Sequence, residues 1–275
     1  MSKHMGKHKS NSFGYNWLRV VVLGGVMGLS NVAVATSSSD LGGSTTSNEM
    51  VVAPEVIKIS AASAVLLPKE QSIVMIASYT ATGDSGRLAK ALQEMLDSKS
   101  ITVNEAKNVM IQMYAYTGFP RSLTALNTLL SVLNERRSQG KVDDLGRGPS
   151  PLPAGTDIRA LGTAIQTKLV GHPVNAPVYD FAPEIDSYLK EHLFGDIFSS
   201  DVLTYQEREL ATVAALASLP APVQLRSHLK ASLNVGLSLK QLSQVGALLN
   251  QQGPTAAGEL FTQTLTNFQS ASPSK

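Results

Sequence analysis

The sequence contains no cysteine, and this absence excludes several kinds of chemistry. A thiolate is the nucleophile of thiol peroxidases and disulfide oxidoreductases, and it is a ligand in many structural zinc sites. A chain without cysteine can carry none of these functions, and no disulfide can stabilise it. With 275 residues, 43% of them hydrophobic, the chain is nevertheless long and apolar enough to bury a substantial core.

Acidic side chains are absent from the first 35 residues, which also hold the single tryptophan, Trp17. Four of the 23 basic side chains lie there and none of the 21 acidic ones, so the remaining chain has a net charge of −2. No cluster of Lys and Arg interleaved with aromatic residues occurs in that remainder. A nucleic-acid partner is therefore not expected.

Residues 1–35 have the pattern of a secretory signal peptide. A basic segment, 3–19, precedes a short apolar segment, 20–29, and Ala33-Val34-Ala35 forms a cleavage site. We expect cleavage after Ala35, a periplasmic or secreted protein, and no stable membrane anchor after cleavage. An uncleaved anchor is the alternative, and the shortness of the apolar segment disfavours it.

Helical signals begin only after a spacer. Residues 36–64 are rich in Ser, Thr and Gly with little periodicity, which is typical of a flexible segment. From residue 65 onward apolar residues recur at helical spacing, which predicts an all-α fold. Three helix starts carry a capping box, in which Ser or Thr precedes Glu or Gln by three residues. These boxes are Thr102 with Glu105, Thr204 with Glu207, and Ser238 with Gln241.

The order of capped helices and turns occurs twice along the chain. This repetition predicts a tandem duplication of one antiparallel helical unit, with copies at 65–140 and 179–270. Residues 141–178 form a Gly- and Pro-rich linker between the copies, with a short helix over 158–169.

A set of motifs in residues 203–250 carries a family resemblance. Arg208-Glu209-Leu210 opens an alanine-rich helix, His228 follows on the next helix, and Gly236-Leu237-Ser238 closes the stretch. These features resemble the carboxymuconolactone decarboxylase and alkylhydroperoxidase-like family. The resemblance extends, as in secreted two-repeat members, over roughly residues 65–140 and 175–268.

The resemblance also implies a site. In the peroxidase branch a helix glutamate precedes a Cys-x-x-Cys pair, and a histidine follows four residues after the second cysteine. Here Glu209 and His228 match the acid and the histidine, whereas Ala221 and Gln224 stand where the cysteines belong. Thiol peroxidase activity, which the family implies, is therefore not expected. The family fold implies a pocket between antiparallel helices with Glu209 and His228 as catalytic residues and Gln224 on its wall.

A carboxylate beside an imidazole orients the ring, fixes its tautomer and raises its basicity, which suits general acid–base catalysis. The aligned positions of the first copy hold Ser72 and Leu92, so its site is degenerate. The alternative interpretation of Glu209 and His228 is a hydrogen bond that only stabilises the packing of two helices.

Two other histidines are candidates. His192 either reaches into the pocket or lies half-exposed beside it, and His172 lies between Gly and Pro in a predicted surface loop. No two of the histidines after residue 35 have a short helical ligand spacing, so neither a metal nor another cofactor is expected.

The resemblance implies a cofactor-free lyase or isomerase acting on a small carboxylated or lactone substrate. The rival is a non-catalytic small-molecule-binding or scaffold protein on the same fold. The family implies a homo-oligomer, a dimer or a trimer, and the alanine-rich surface of residues 211–218 suits subunit contacts.

Overall fold

A computed structural model describes residues 65–271, except for the side chain of residue 255. All regular structure in this range is helical, which confirms the predicted all-α class. The predicted leader and spacer lie outside the described residues. No helix within the described range is long and apolar enough to cross a membrane.

In chain order the helices are α1 Pro68–Thr82, α2 Ser85–Asp97, α3 Val103–Ser138, α4 Ile158–Val170, α5 Pro177–Phe181, α6 Pro183–Ser187, the π-helix π1 Tyr188–Ile197, α7 Tyr205–Ser218, α8 Pro222–Asn234, α9 Leu239–Gln252 and α10 Thr255–Ser270.

The three predicted capping boxes are confirmed, at the starts of α3, α7 and α9. At α7, for example, the Glu207 amide donates to the Thr204 hydroxyl over 3.2 Å, and the Thr204 amide donates to the Glu207 carboxylate over 2.8 Å. Each box satisfies amides that a helix start otherwise leaves without partners, which stabilises the helix by about 1 kcal/mol.

Helix α3 bends sharply at residues 117–120, where the sequence Thr-Gly-Phe-Pro predicts the end of a helix. Gly118 has φ of 76° and ψ of 166°, a conformation that glycine adopts without strain. Pro120 follows and cannot donate a backbone hydrogen bond. The bend divides α3 into an arm that carries Tyr114 and Tyr116 and a second arm from Arg121 onward.

Helix α7 runs through the centre of the main core, parallel to α1. Two contacts fix this direction: Lys69 binds Glu207 near the helix starts, and the hydroxyls of Ser78 and Ser218 are 2.9 Å apart near their ends. All residues of α7 from Glu207 to Ala217 are buried. The helical spacing of Leu210, Val213, Ala214 and Ala217 predicts one packed face and one exposed face. That prediction is wrong, because the small side chains of α7 let other helices cover every face.

The same burial corrects the predicted role of the alanine-rich surface. Ala211, Ala214, Ala215 and Ala217 are at most 2% exposed, and they lie inside the chain. These alanines allow α1 to approach α7 closely. They are not available for contact with another subunit.

Lys69 joins three helix starts into one electrostatic cluster. Its ammonium lies 2.6 Å from the Glu105 carboxylate and 2.8 Å from the Glu207 carboxylate. Burial acts to raise the pKa of Glu105, but hydrogen bonds from Lys69 and Thr102 outweigh it and hold the pKa below 4.5. Burial likewise acts to lower the pKa of Lys69, and its two carboxylate partners outweigh this and raise the pKa above 10.5.

Lys69→Met is therefore expected to lower the free energy of unfolding by about 1 kcal/mol at pH 7. The depressed pKa of Glu105 gives stability that is present above pH 4.5 and is lost as the pH falls through its folded pKa. The raised pKa of Lys69 gives stability that is present below pH 10.5 and is lost as the pH rises through its folded pKa. Urea unfolding of Lys69→Met and wild type at several pH values measures this window.

The exposed Lys107 provides the control for that experiment, because it removes the same charge outside the cluster. Lys107→Met should change the stability little at any pH. A Lys69→Met difference that stayed constant from pH 3 to 7, where roughly all carboxylates change their charge, would contradict the cluster.

A second, smaller core lies between α4 and π1. Its buried members are Ile165, Leu169, Leu193, Phe194, Ile197 and Phe198. The two helices touch at glycines: a Cβ atom added to Gly162 would lie 1.6 Å from the Lys190 carbonyl oxygen. Gly162 and Gly195 therefore permit a backbone-to-backbone contact that no side chain would fit.

The winding of π1 overturns one part of the sequence prediction. The 3.6-residue pattern places Ile185 and Tyr188 on an inward face, whereas they are 47% and 64% exposed. A π-helix bonds residue i to i+5, so an apolar pattern read at α-helical spacing drifts out of register along it. Leu193 and Ile197, further along π1, are buried as predicted.

The two halves of the described range have helices of similar length and order. α1 and α7 have 15 and 14 residues, and α2 and α8 both have 13. The bend of α3 corresponds in order to the break between α9 and α10. The tandem duplication itself stays a prediction.

Candidate functional site

Glu209 lies on the most deeply buried helix of the fold. It occupies the second turn of α7, after the Thr204 capping box, and its side chain is completely buried. Such a carboxylate needs nearby donors, because an ionised group removed from water is costly unless it is hydrogen-bonded. The partners of Glu209 are therefore the main clue to its role.

His228 supplies one of those donors from the adjacent helix α8. Its Nδ1 lies 2.9 Å from Oε2 of Glu209. The His228 side chain is 24% exposed while that of Glu209 is not exposed at all, so the imidazole is the part of the pair that reaches the surface. With an ionised carboxylate as acceptor the proton of the neutral ring stays on Nδ1, and Nε2 is left as a base. The structure thus brings together the two predicted catalytic residues.

Tyr116 is a third member, which the sequence prediction treats as packing between the repeats. Its ring meets the His228 ring edge-on, with centroids 6.0 Å apart and an interplanar angle of 79°. Its hydroxyl is buried and has no hydrogen-bond partner. Burial raises the pKa of this phenol, and the nearby Glu209 carboxylate raises the pKa further, so the phenol is neutral at physiological pH. No sequence spacing links Tyr116 with His228, since they come from opposite halves of the chain.

A buried arginine lies beside this group on α7. Arg208 is fully buried, and its guanidinium donates to the Gln112 side-chain oxygen over 3.0 Å and to the Ser200 carbonyl over 2.7 Å. It also stacks on the Phe198 ring at 5.4 Å. Burial lowers the pKa of Arg208 to about 10, which leaves it charged at neutral pH. Gln112 therefore connects the bent α3 to the buried cation of α7.

Gln224 and Ala221, at the positions of the family's cysteines, differ in exposure. Ala221 packs partly buried against the main core, whereas the Gln224 side chain is exposed on the first turn of α8. Neither side chain can act as a nucleophile toward a peroxide.

His192 lies in a separate hollow on π1. Its Nδ1 is 3.0 Å from the Asp196 carboxylate, and its ring meets Tyr114 edge-on at 5.5 Å. The hollow has a volume of about 260 Å³ and is mostly apolar. Its lining residues are Tyr114, Ala115, Ile185, Tyr188, Leu189, His192 and Leu193. The structure therefore does not bring His192 to the Glu209–His228 pair.

His172 is exposed in the loop after α4, where its Nδ1 lies 3.0 Å from the Pro173 carbonyl oxygen. Within residues 65–271 no group of three or more His, Asp or Glu side chains is arranged to hold a metal ion.

Part of the chain matches a known protein family. Residues 183–266 match the carboxymuconolactone decarboxylase family. The matched range lies inside the predicted second copy, contains both Glu209 and His228, and leaves residues 65–140 outside it. None of the curated proteins matches the chain.

The carboxymuconolactone decarboxylase match supports a carboxymuconolactone decarboxylase-like or alkylhydroperoxidase-like protein. The reaction itself depends on the residues that this chain places in 183–266.

Proposed function

We propose that the chain is a cofactor-free acid–base enzyme, a lyase or isomerase that acts on a small carboxylated or lactone substrate. The observation that carries this proposal is the 2.9 Å hydrogen bond between His228 Nδ1 and Glu209 Oε2. A fully buried carboxylate holds a partly exposed imidazole, which leaves Nε2 as the group that meets substrate. A positioned imidazole of this kind accelerates proton transfer by about 10²–10⁴-fold.

In a decarboxylation the bond between the substrate carbon and its carboxylate breaks, and the electron pair moves into the conjugated lactone carbonyl. Carbon dioxide leaves, and His228, which solvent has protonated at Nε2 beforehand, donates that proton to carbon; solvent then protonates Nε2 again for the next turnover. In an isomerisation the same Nε2 removes a proton beside the carbonyl and returns it to another carbon. Glu209 stabilises the imidazolium in both reactions.

Peroxide reduction by a thiol is not part of the proposal. The positions that the family resemblance assigns to cysteines hold Ala221 and Gln224, and the sequence has no cysteine elsewhere. The rival proposal is a binding or scaffold protein in which the Glu209–His228 hydrogen bond stabilises α7 against α8. That rival predicts loss of stability, without any turnover to lose, when either residue is changed.

The test is turnover of a panel of carboxylated lactones by the purified wild-type chain, followed by mass spectrometry of the products. His228→Gln provides the blank, because a contaminating activity would survive this substitution. Product formed by wild type and not by His228→Gln supports the enzyme. No product from any lactone would remove the support for the reaction class.

Export to the periplasm or medium is a second part of the proposal. It rests on the basic and apolar segments of residues 1–35 and on the Ala33–Ala35 cleavage site. N-terminal sequencing of exported material should find Thr36 first. An N-terminus at Met1 would contradict cleavage.

We also propose that the chain forms homo-oligomers, and that a stripe on the second arm of α3 is the contact. Its members alternate in steps of four and three, the spacing with which two helices pack along a seam. They are Phe119, at the bend, and Leu123, Leu126, Leu130 and Leu133 on the second arm; Leu126 and Leu133 are partly buried against the main core. Phe119, Leu123 and Leu130 are 61%, 53% and 56% exposed, which is unusual for neighbouring large apolar side chains. A second copy of the same helix would cover this stripe.

Leu123→Glu with Leu130→Glu is expected to convert the oligomer to a monomer, because both charges would be buried at the contact. Light scattering coupled to gel filtration measures the mass. Val142→Glu, at a position that is 96% exposed on the linker, should leave the mass unchanged. A wild-type chain that elutes as a monomer would contradict the proposal.

A further inference from the structure

We propose that Tyr116 is a positioning residue whose hydroxyl donates a hydrogen bond to the free Oε1 of Glu209, directly or through one buried water. This bond would weaken the pull of that carboxylate on a proton held by His228. The inference rests on the proposed function only for its catalytic meaning. The interaction itself can be tested without a substrate.

The Tyr116 hydroxyl can donate a hydrogen bond, and Oε1 of Glu209 can accept one. Among the described residues, the Tyr116 hydroxyl and Oε1 of Glu209 both belong to the small set of buried side-chain atoms that make no hydrogen bond. Each such atom lowers the stability of the fold when it stays unpaired, because it has lost its hydrogen bonds to water. One is a donor and the other is an acceptor, and the Tyr116 ring already lies against the imidazole that binds the other oxygen of Glu209.

The neighbouring hydroxyl of Thr212 already has hydrogen-bond partners. Thr212, one turn after Glu209, accepts from the Gln112 amide over 3.0 Å and donates to the Arg208 carbonyl over 2.9 Å. The Glu209 carboxylate acts to raise the pKa of Tyr116 and the Thr212 hydroxyl acts to lower it, as expected for a phenol close to this part of α7.

The titratable groups on or next to the pair come from three helices. Helix α8 contributes His228, α3 contributes the neutral Tyr116, and α7 contributes Arg208 next to Glu209 in sequence. On α1, Lys69 is bound to the carboxylates of Glu105 and Glu207 and not to Glu209. Among the described residues, the buried donors without a partner also include Thr80 Oγ1, Arg208 Nε and Ser232 Oγ; Tyr116 is distinguished from them by its ring, which lies against the imidazole bound to Glu209.

The proposed hydrogen bond should weaken the binding of a proton by His228. A hydroxyl proton pointing at the carboxylate places a positive charge density near it and so disfavours a proton on the adjacent imidazole. Removing the hydroxyl should make His228 hold its proton more strongly. A tyrosine that only fills space would produce no such change, because phenylalanine keeps the ring.

The experiment is an NMR titration of the histidine ring signals in wild type, Tyr116→Phe and Tyr114→Phe. Tyr116→Phe is expected to raise the midpoint of the His228 titration by about half a pH unit, which is under 1 kcal/mol. Tyr114→Phe is the matched control, because its ring lies against His192 and not against His228. It should leave the His228 midpoint unchanged.

A double-mutant comparison tests whether Tyr116 acts on His228 through Glu209. In a Glu209→Gln background, adding Tyr116→Phe should no longer move the His228 midpoint, because the carboxylate through which Tyr116 acts is gone. An unchanged or lowered midpoint in Tyr116→Phe, or an equal shift in Tyr114→Phe, would overturn the inference. Either result leaves the proposed function standing, since that function depends on turnover and on His228→Gln.

Discussion

Glu209→Gln is expected to lower kcat on the best carboxylated lactone by about 10²–10³-fold while the chain stays folded. The amide has the shape of the carboxylate but cannot hold a proton on His228 Nδ1 with a full negative charge. Its NH₂ group can also donate to Nδ1, which moves the ring proton to Nε2 and removes the base. The amide can still hydrogen-bond His228, and removing the fully buried charge of Glu209 also removes its desolvation cost, so the free energy of unfolding is expected to change little.

The control for this variant is supplied by the chain itself. His192 is also hydrogen-bonded to a carboxylate, that of Asp196, over 3.0 Å, and it lies outside the pair. Asp196→Asn should therefore leave kcat within about twofold of wild type, since an exposed acid–histidine pair contributes little. Equal losses in Glu209→Gln and Asp196→Asn would show that the loss does not come from the buried pair.

Gly162→Ala is expected to lower the free energy of unfolding by about 3 kcal/mol, at the upper end for overpacking. The new methyl group would lie 1.6 Å from the Lys190 carbonyl oxygen and 2.8 Å from the Gly195 nitrogen. Both are backbone atoms, so relief requires α4 and π1 to move apart and their shared core to open. For a chain of this size the melting temperature should fall by about 10 °C.

Gly148→Ala is the matched control, because a Cβ atom at that position meets no atom within 4 Å. Differential scanning calorimetry of the two variants beside wild type makes the comparison. Equal melting temperatures for Gly162→Ala and Gly148→Ala would mean that α4 and π1 do not touch through their backbones.

Local signals in the sequence were sufficient for most helix boundaries. The Thr204 and Ser238 capping boxes depend on residues three apart, so their chemistry is fixed before any tertiary contact forms. Gly118 followed by Pro120 marks the bend of α3 for the same reason. The all-α class follows from these signals together with helical periodicity.

Features that depend on packing were missed or predicted wrongly. Apolar residues at helical spacing on α7 predict one exposed face, and only the packing of other helices, α1 among them, shows that this helix is buried from Glu207 to Ala217. The π-helical winding of 188–197 has no signature in residue spacing, which is why Ile185 and Tyr188 were assigned inward.

The candidate site was also predictable only in part from the sequence. Glu209 and His228 lie on successive helices, and their family positions were sufficient to pair them. Tyr116 reaches them from the opposite half of the chain, and its contact depends on the bent α3 lying across α7 and α8. Sequence spacing cannot report a contact of that kind.

The central claim is that His228, held by Glu209, transfers a proton to the carbon skeleton of a carboxylated lactone. The most direct measurement is product formation in D₂O by wild type and His228→Gln, analysed by mass spectrometry. We predict that wild type releases a product with deuterium at the carbon that receives a proton from His228, and that His228→Gln forms no product above the uncatalysed rate. Equal rates of deuterated product from both proteins would contradict it.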